Sequence, residues 1–364
     1  MYNLFRRIIL LRSPSSVFSH GFSECPLKSL RYLSTSSEIV SSPKSASLPS
    51  NVVQLMNNRK AIIAFFENHG FSESQISDFV KKVPLMLSEN PETLFPILLF
   101  FQSKGLSSSA ITKLVCSVPQ VLKRSLNQEI IPVFDYIQAV LGTVEKTVTT
   151  IKRFPRILGW NLRISVGPNI EILKQLGVPD SNISTYLQRQ PKMFFTSSIQ
   201  FKEIIERVME MGFSPQRLQF LVAVFALRSL TKSSWDKKLE VYRKWGLSEE
   251  DFRIAFRRNP MCITFSEDKT NSVMDFFVNK IGCQSSFVAR KPVLISLSLK
   301  KRIFPRGYVY QVLLSKGLIK KHKKIILLFE SPEKRFIEKF INPHKEQIPG
   351  LLELYEQKLM DSRK

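Results

Sequence analysis

The chain has 364 residues, 43% of them hydrophobic, and carries 54 lysines and arginines against 30 acids, a formal net charge of +24 with a pI near 10. That apolar content supports a continuous core and excludes wholesale disorder, while a basic excess of this size points to a polyanionic partner, either nucleic acid or an anionic membrane surface. No apolar run approaches the ~18 to 20 residues a spanning helix needs; the longest, Leu218–Leu227, is about half that.

Residues 1–37 have the composition of an organellar presequence. They contain Arg6, Arg7 and Arg12, many serines, and no acid before Glu24. Ile8–Leu11 is too short for the apolar core of a secretory signal. Arg31 followed by Tyr32-Leu33-Ser34 is similar to mitochondrial processing sites, so the expected compartment is the mitochondrial matrix, with the chloroplast as the alternative. Residues 38–55 are expected to be a linker, and residues 56–341 a repeat array.

The array announces itself by glycine. Gly70, Gly105, Gly142, Gly177, Gly212, Gly246, Gly282 and Gly317 lie 35, 37, 35, 35, 34, 36 and 35 residues apart. Such regularity marks a helical repeat. Each unit predicts a helix A, the glycine as its left-handed C′ residue, a helix B and a proline that stops helix B. Helix A is expected in Ala61–His69, Thr93–Lys104, Ile130–Leu141, Asn169–Leu176, Phe201–Met211, Lys238–Trp245, Val273–Ile281 and Gly307–Lys316. Ser72, Ser107, Ser214 and Ser248, two residues after their glycines, are candidate N-caps of helix B. Six residues after the glycine a core position is expected: Ile76, Ile111, Val148, Ile183, Leu218, Phe252 and Val288.

Prolines follow their glycines by 14, 14, 13 and 14 residues in the first four units and by 14 in the sixth. In the fifth, Ala226 stands where proline is due, so helix B is expected to run on. In the seventh, Pro292 comes ten residues after Gly282, which shortens helix B. The eighth has no matching proline and, with residues 342–364 as a cap and polar tail, closes the core.

The segments from late helix B through the proline turn are 113–124, 149–163, 186–198, 220–234, 252–265 and 288–306. Together they contain 20 lysines and arginines and no acid. At the chain's mean density about seven acids are expected there. Acids collect instead in helix A and early helix B, at Glu203, Glu206, Glu210, Asp236, Glu240, Glu249, Glu250 and Asp251. Equivalent positions of a solenoid line one face, so the cations are expected to stack into a phosphate-tracking stripe. Candidate nucleic-acid contacts are Lys81, Lys82, Lys123, Arg124, Lys152, Arg153, Arg156, Arg189, Lys192, Arg257, Arg258, Arg290, Lys291, Lys301, Arg302 and Arg306. A competing role for any one of them is to cap the C-terminal carbonyls of helix B. Lys320-Lys321-His322-Lys323-Lys324 is less specific, being equally a solvated face. Most of the 28 phenylalanines fall at core spacing. Trp160, just after a proline turn beside Arg156 and Arg163, is the aromatic to test for base stacking.

The cysteines (Cys25, Cys116, Cys262, Cys283) are scattered without a CxxC and are expected to be reduced thiols. The four histidines make no metal-ligand spacing. There is no P-loop, GxSxG or GxGxxG after a strand, so neither a cofactor nor a catalytic centre is expected.

Several repeats share this period, and the proline turn distinguishes them. Val83-Pro84-Leu85-Met86-Leu87, Val118-Pro119-Gln120-Val121-Leu122, Phe154-Pro155-Arg156-Ile157-Leu158, Gln190-Pro191-Lys192-Met193-Phe194 and Asn259-Pro260-Met261-Cys262-Ile263 resemble the unit-closing motif of the mitochondrial transcription termination factor (mTERF) family. Ser298–Ile319 is similar to its plant branch. The resemblance covers roughly residues 56–340. It implies an all-α, right-handed or similarly curved superhelical solenoid of about eight ~35-residue units, each of two α-helices and a short 3₁₀ turn. It also implies a monomer that binds organellar DNA or RNA through a basic groove, in transcription termination, splicing or ribosome assembly. The other reading of the same charge is a protein-binding scaffold with an acidic partner.

Overall fold

The computed structural model describes residues 50–320 and 325–361. The expected presequence, residues 38–49 of the expected linker, and Lys321–Lys324 lie outside the described residues. Among those described, every regular element is helical. Among the described residues no helix is long and apolar enough to cross a membrane.

The first unit pairs α1 (Ser50–Asn68) with α2 (Glu73–Lys82), and the second α3 (Pro91–Ser103) with α4 (Ser108–Ser117). α1 begins within the span expected as linker. The third unit has α5 (Ile131–Leu141) and α6 (Val144–Arg153); the fourth has α7 (Leu162–Ser165), α8 (Gly167–Gln175) and α9 (Asp180–Arg189). The fifth contains α10 (Ser198–Glu210) and α11 (Leu218–Arg228), the sixth α12 (Lys232–Lys244) and α13 (Glu249–Arg258). The seventh has α14 (Glu267–Asp275), α15 (Ser285–Arg290) and α16 (Val293–Ser296); the eighth has α17 (Phe304–Ser315) and α18 (Ile325–Glu330). α19 (Glu333–Phe336) and α20 (Leu351–Asp361) follow.

Each of the eight predicted glycines has a positive φ, between 69° and 89°. The residue after it reaches back to close the helix: Phe71 N–H donates to Phe66 O, Leu106 to Phe101 O, Val178 to Leu173 O and Leu247 to Tyr242 O, all at 3.0–3.1 Å. These four apolar residues are buried, which pins the entry to helix B. Ser72, Ser107 and Ser248 then cap helix B by accepting from the N–H three residues on. At Ser248 the cap is reciprocal. Its N–H and hydroxyl donate to the Asp251 carboxylate at 3.0 and 2.8 Å, which holds that carboxyl below its ordinary value.

Proline ends helix B as predicted. The preceding residue, Val83, Val118, Phe154, Gln190 or Asn259, leaves the α region for φ between −135° and −150°, because the proline ring disfavours αR before it. Five-residue 3₁₀ turns begin at Pro84, Pro119, Pro155, Pro191 and Pro260. Their inward residues, such as Ile157, Leu158, Met193 and Phe194, are fully buried.

The fifth unit departs further than its missing proline suggests. Ser214 does not cap a helix; its carbonyl accepts from Arg217 in a turn, and α11 starts only at Leu218. Leu218 is therefore 37% exposed rather than core, and Phe220 and Leu221 fill the interior. With no ring to stop it, α11 runs through Ala226 to Arg228, and no 3₁₀ turn follows. The seventh unit shows the shortened helix B, α15, ended before Pro292.

Units pack like on like. Helix A meets helix A (α1 with α3, α8 with α10, α12 with α14), and helix B meets helix B (α2 with α4, α6 with α9, α9 with α11, α13 with α15). One apolar core runs from Ile62 to Tyr355. Cys262 and Cys283 are buried and Cys116 half-buried, and none of the three is in a disulfide among the described residues. The segment expected as a polar tail is partly core: α20 lays Leu351 and Tyr355 against α17. Gly307 in α17 lets the Phe276 ring lie on its backbone, where a Cβ would come within 2.1 Å of that ring. Gly307→Ala is expected to destabilise the protein by about 1–3 kcal/mol through overpacking, measurable by thermal unfolding.

Candidate nucleic-acid interface

The proline-turn ends of successive units touch one another along the array. Lys82 Nζ donates to Cys116 O at 3.1 Å, and Lys123 Nζ lies 3.4 Å from the Glu89 carboxylate, joining the first two units. Arg124 Nη1 donates to Leu158 O at 2.9 Å, and the turn at Pro119–Lys123 packs on that at Pro155–Gly159. Between the third and fourth units, Phe154 and Trp160 both meet Phe195, with ring centroids 5.9 and 5.3 Å apart. Lys192 Nζ sits over Phe154 at 5.8 Å. Arg228 Nε donates to the Thr196 hydroxyl, and Arg258 Nη1 to Arg290 O, continuing the chain of contacts through later units. A 35-residue period thus becomes an edge that runs through the array and is broken at the fifth unit, which has no 3₁₀ turn.

The predicted cations divide by partner. Lys152, Arg153, Arg156, Arg189, Lys192, Arg290, Lys291 and Lys301 are exposed and Arg302 half-exposed, with no carboxylate within ion-pair distance among the described residues. Lys81 and Arg257 are exposed but near acids of their own helices, 3.7 Å from Asp78 and 2.6 Å from Glu250. Such exposed pairs contribute ~0–1 kcal/mol, so a phosphate can displace them. Lys82 and Arg258 serve the next unit's backbone, which is the capping role extended across a repeat boundary.

Two predicted contacts are corrected. Arg124 is turned inward, its side chain 17% exposed, bonded to Leu158 O and at 2.7 Å to Glu129. Arg306 is fully buried. Its Nη1 donates to the carbonyls of Leu328, Phe329 and Ser331 at 3.0, 3.1 and 2.7 Å, and its Nη2 to Glu333 at 2.9 Å. The guanidinium also lies 4.4 Å from the Phe336 ring centroid. It closes the C-terminal end of α18 and cannot reach solvent. The sequence held the warning. Counting eleven back from the glycine, the position of Arg306 is filled by Leu94, Val166 and Phe201, all buried, in three other units, although the first unit has an exposed Arg59 there.

A polar clamp was missed for the same reason. Asn169 and Lys238 each stand eight residues before their glycine, where other units have Ile62, Ile97, Phe134 or Ile204. Asn169 Nδ2 donates to Thr196 O at 2.6 Å and Lys238 Nζ to Phe265 O; both acceptors come five residues after their proline. The side chain of helix A thereby fastens the end of its own unit's turn. Burial pushes the Lys238 amine below its ordinary value, with Glu267 opposing.

The two clamped turns flank the unit that has none. Where a fifth 3₁₀ turn would sit there is an open cleft of about 640 Å³, lined by Gln190, Phe225, Ser229, Lys238, Met261 and Phe265 among others. The stripe is thinnest there, since Arg228 is spent on Thr196.

The mTERF family profile matches residues 63–226 and 224–337, three quarters of the chain. Over 241 residues the chain is 24% identical to the mitochondrial transcription termination factor MTERF15 of Arabidopsis thaliana, covering 57% of this chain and 54% of that protein. Over 170 residues it is 18% identical to the chloroplastic transcription termination factor MTERF8 of the same plant, covering 46% of this chain and 34% of that one. The aligned region thus spans about a third to a half of the length of these relatives. With the glycine-spaced helix pairs, the proline-initiated 3₁₀ turns and the profile match in agreement, the chain belongs to the mTERF family.

Proposed function

We propose that this protein is a non-catalytic nucleic-acid-binding factor of organelle gene expression, holding DNA or RNA along the edge formed by its proline turns. The observation that carries this reading is the coincidence of two facts. The turn segments from the second unit on contain cations and no acids, and turns of neighbouring units are in contact. A polyanion crossing from unit to unit therefore meets Lys152, Arg153, Arg156, Arg189, Lys192, Arg290 and Lys291 with no carboxylate of the turn segments between them. Arginine offers a bidentate fork to phosphate and lysine a point charge, so both suit a backbone-tracking surface.

The step is termination or regulation of transcription, ahead of splicing and ribosome assembly; the support for that order is that the relatives are named as organellar transcription termination factors. The compartment is the mitochondrion, with the chloroplast as the alternative.

Affinity for a mixed-sequence nucleic acid is expected to fall steeply with salt. Six to ten phosphate contacts correspond to a loss of roughly 10³ to 10⁵ between 50 and 200 mM salt. Salt-indifferent binding would overturn the proposal. Nuclease treatment of complexes recovered from mitochondria is expected to release what is bound; partners that survive it would favour the scaffold reading instead. Crosslinking in isolated mitochondria, followed by sequencing of the bound strand, identifies the target.

A further inference from the structure

The edge carries one feature that phosphate tracking does not require. Trp160 is 51% exposed, yet its turn is already sealed by fully buried Ile157 and Leu158. The same position, five residues after the proline, is Glu89, Arg124 and Thr196 in three other units and a half-buried Phe265 in a fourth, so the repeat accepts polar residues there as well as aromatic ones. The indole is not needed for packing. It leans on Phe195, which also meets Phe154, and Lys192 Nζ lies over Phe154. Arg153, Arg156 and Arg163 are exposed around this aromatic cluster. Ile164, four residues on, and its counterpart one unit later, Ile199, are each 75% exposed.

We infer that Trp160, backed by Phe195 and Phe154, is a stacking platform for unpaired bases, so that this edge takes single-stranded nucleic acid in preference to an intact duplex. The inference rests on the nucleic-acid reading above and specifies its ligand. In a duplex the base faces are stacked on one another and the outer surface is phosphate, sugar and polar groove edge, none of which an exposed indole complements. A single strand presents its phosphates to the surrounding cations and its base faces to the ring. Every base has such a face, so the platform adds affinity without choosing a sequence.

The test uses the full chain, a labelled single-stranded RNA and DNA oligonucleotide, and the duplex of the same sequence, with affinity read by fluorescence anisotropy. Trp160→Ala is expected to weaken single-strand binding by roughly 5- to 150-fold, the range for one stacked base. Duplex binding should be unchanged, and Trp160→Phe should restore most of the loss. Tryptophan emission should be quenched when the single strand is added to the wild-type chain, and that change should vanish in Trp160→Phe. The other two tryptophans report little, since Trp235 packs on Phe252 and Phe256 and Trp245 bonds to Asn271. If Trp160→Ala leaves single-strand affinity intact, or lowers single-strand and duplex affinity equally, the platform is refuted while the basic edge stands. If neither form of nucleic acid binds, the edge and the platform fall together.

Discussion

Arg306→Met is expected to destabilise the C-terminal end of the array by about 3–5 kcal/mol, because backbone carbonyls left without a donor cost ~1–3 kcal/mol each. The guanidinium has no exposure to water, and four acceptors depend on it: three carbonyl oxygens and the Glu333 carboxylate. Two of those carbonyls, Leu328 O and Phe329 O, belong to the last turn of α18, whose acceptors have no helical donor. Methionine fills similar space but donates nothing, so the three carbonyls lose their donor, while the half-exposed Glu333 carboxylate turns to water. The damage should spread to α20, because Glu333 also receives the Tyr355 hydroxyl at 2.6 Å. Burial, reinforced by that carboxylate, pushes the Tyr355 hydroxyl up to about 12, so it remains a donor throughout the neutral range. Hydrogen exchange should report faster exchange in α17 to α20 while α2 to α9 keep their protection, since a solenoid loses stability locally. Uniform exchange across the chain, or an unchanged unfolding midpoint, would contradict this role.

The largest effect on binding is expected from neutralising Lys152, Arg153, Arg156 and Arg189 together to glutamine. All four are exposed at the turns of the third and fourth units and have no carboxylate partner among the described residues. Each lost phosphate contact removes ~0.7–0.9 from the log–log salt slope, so the slope should fall by about 3. At 0.1 M salt that corresponds to a loss of roughly 10³ in affinity, shrinking toward nothing as salt approaches 1 M. Folding should be untouched, because exposed unpaired cations contribute little to stability. A quadruple variant that binds as tightly as the wild type would move the interface away from the proline turns. Lys123→Gln makes a useful contrast: its ammonium already faces Glu89, so its removal should change the slope less than any of the four.

Glycine spacing and proline offsets were enough to locate the helix ends, because both residues act on the local backbone. A positive φ is open to glycine wherever the chain goes, and a proline restrains its predecessor whatever packs nearby. The same logic failed at Leu218 and Ser214. With no proline to set the end of α11, the helix slid three residues along the chain, and the core took Phe220 and Leu221 in place of Leu218. Local signals fix a helix only when both of its ends are marked.

Charge was legible as a segregation along the sequence, and its counterparts in space were not. Arg306 and Arg124 look like their neighbours Arg302 and Lys123 in composition, but the fold turns Arg124 toward the next unit and Arg306 toward the far helix of its own unit, where carbonyls and a carboxylate hold each of them. Asn169 and Lys238 occupy positions that are aliphatic elsewhere, and only the packed turn reveals the carbonyls they hold.

The sequence by itself determined that this protein is a helical repeat with a cationic side, because period, caps and turns are properties of a few consecutive residues. Only the tertiary structure decided which cations face solvent, which are bonded to the next unit, and that three aromatic rings from two units meet beneath Lys192. Those outcomes depend on residues some 25 to 41 positions apart being brought into contact, and no local propensity encodes that distance.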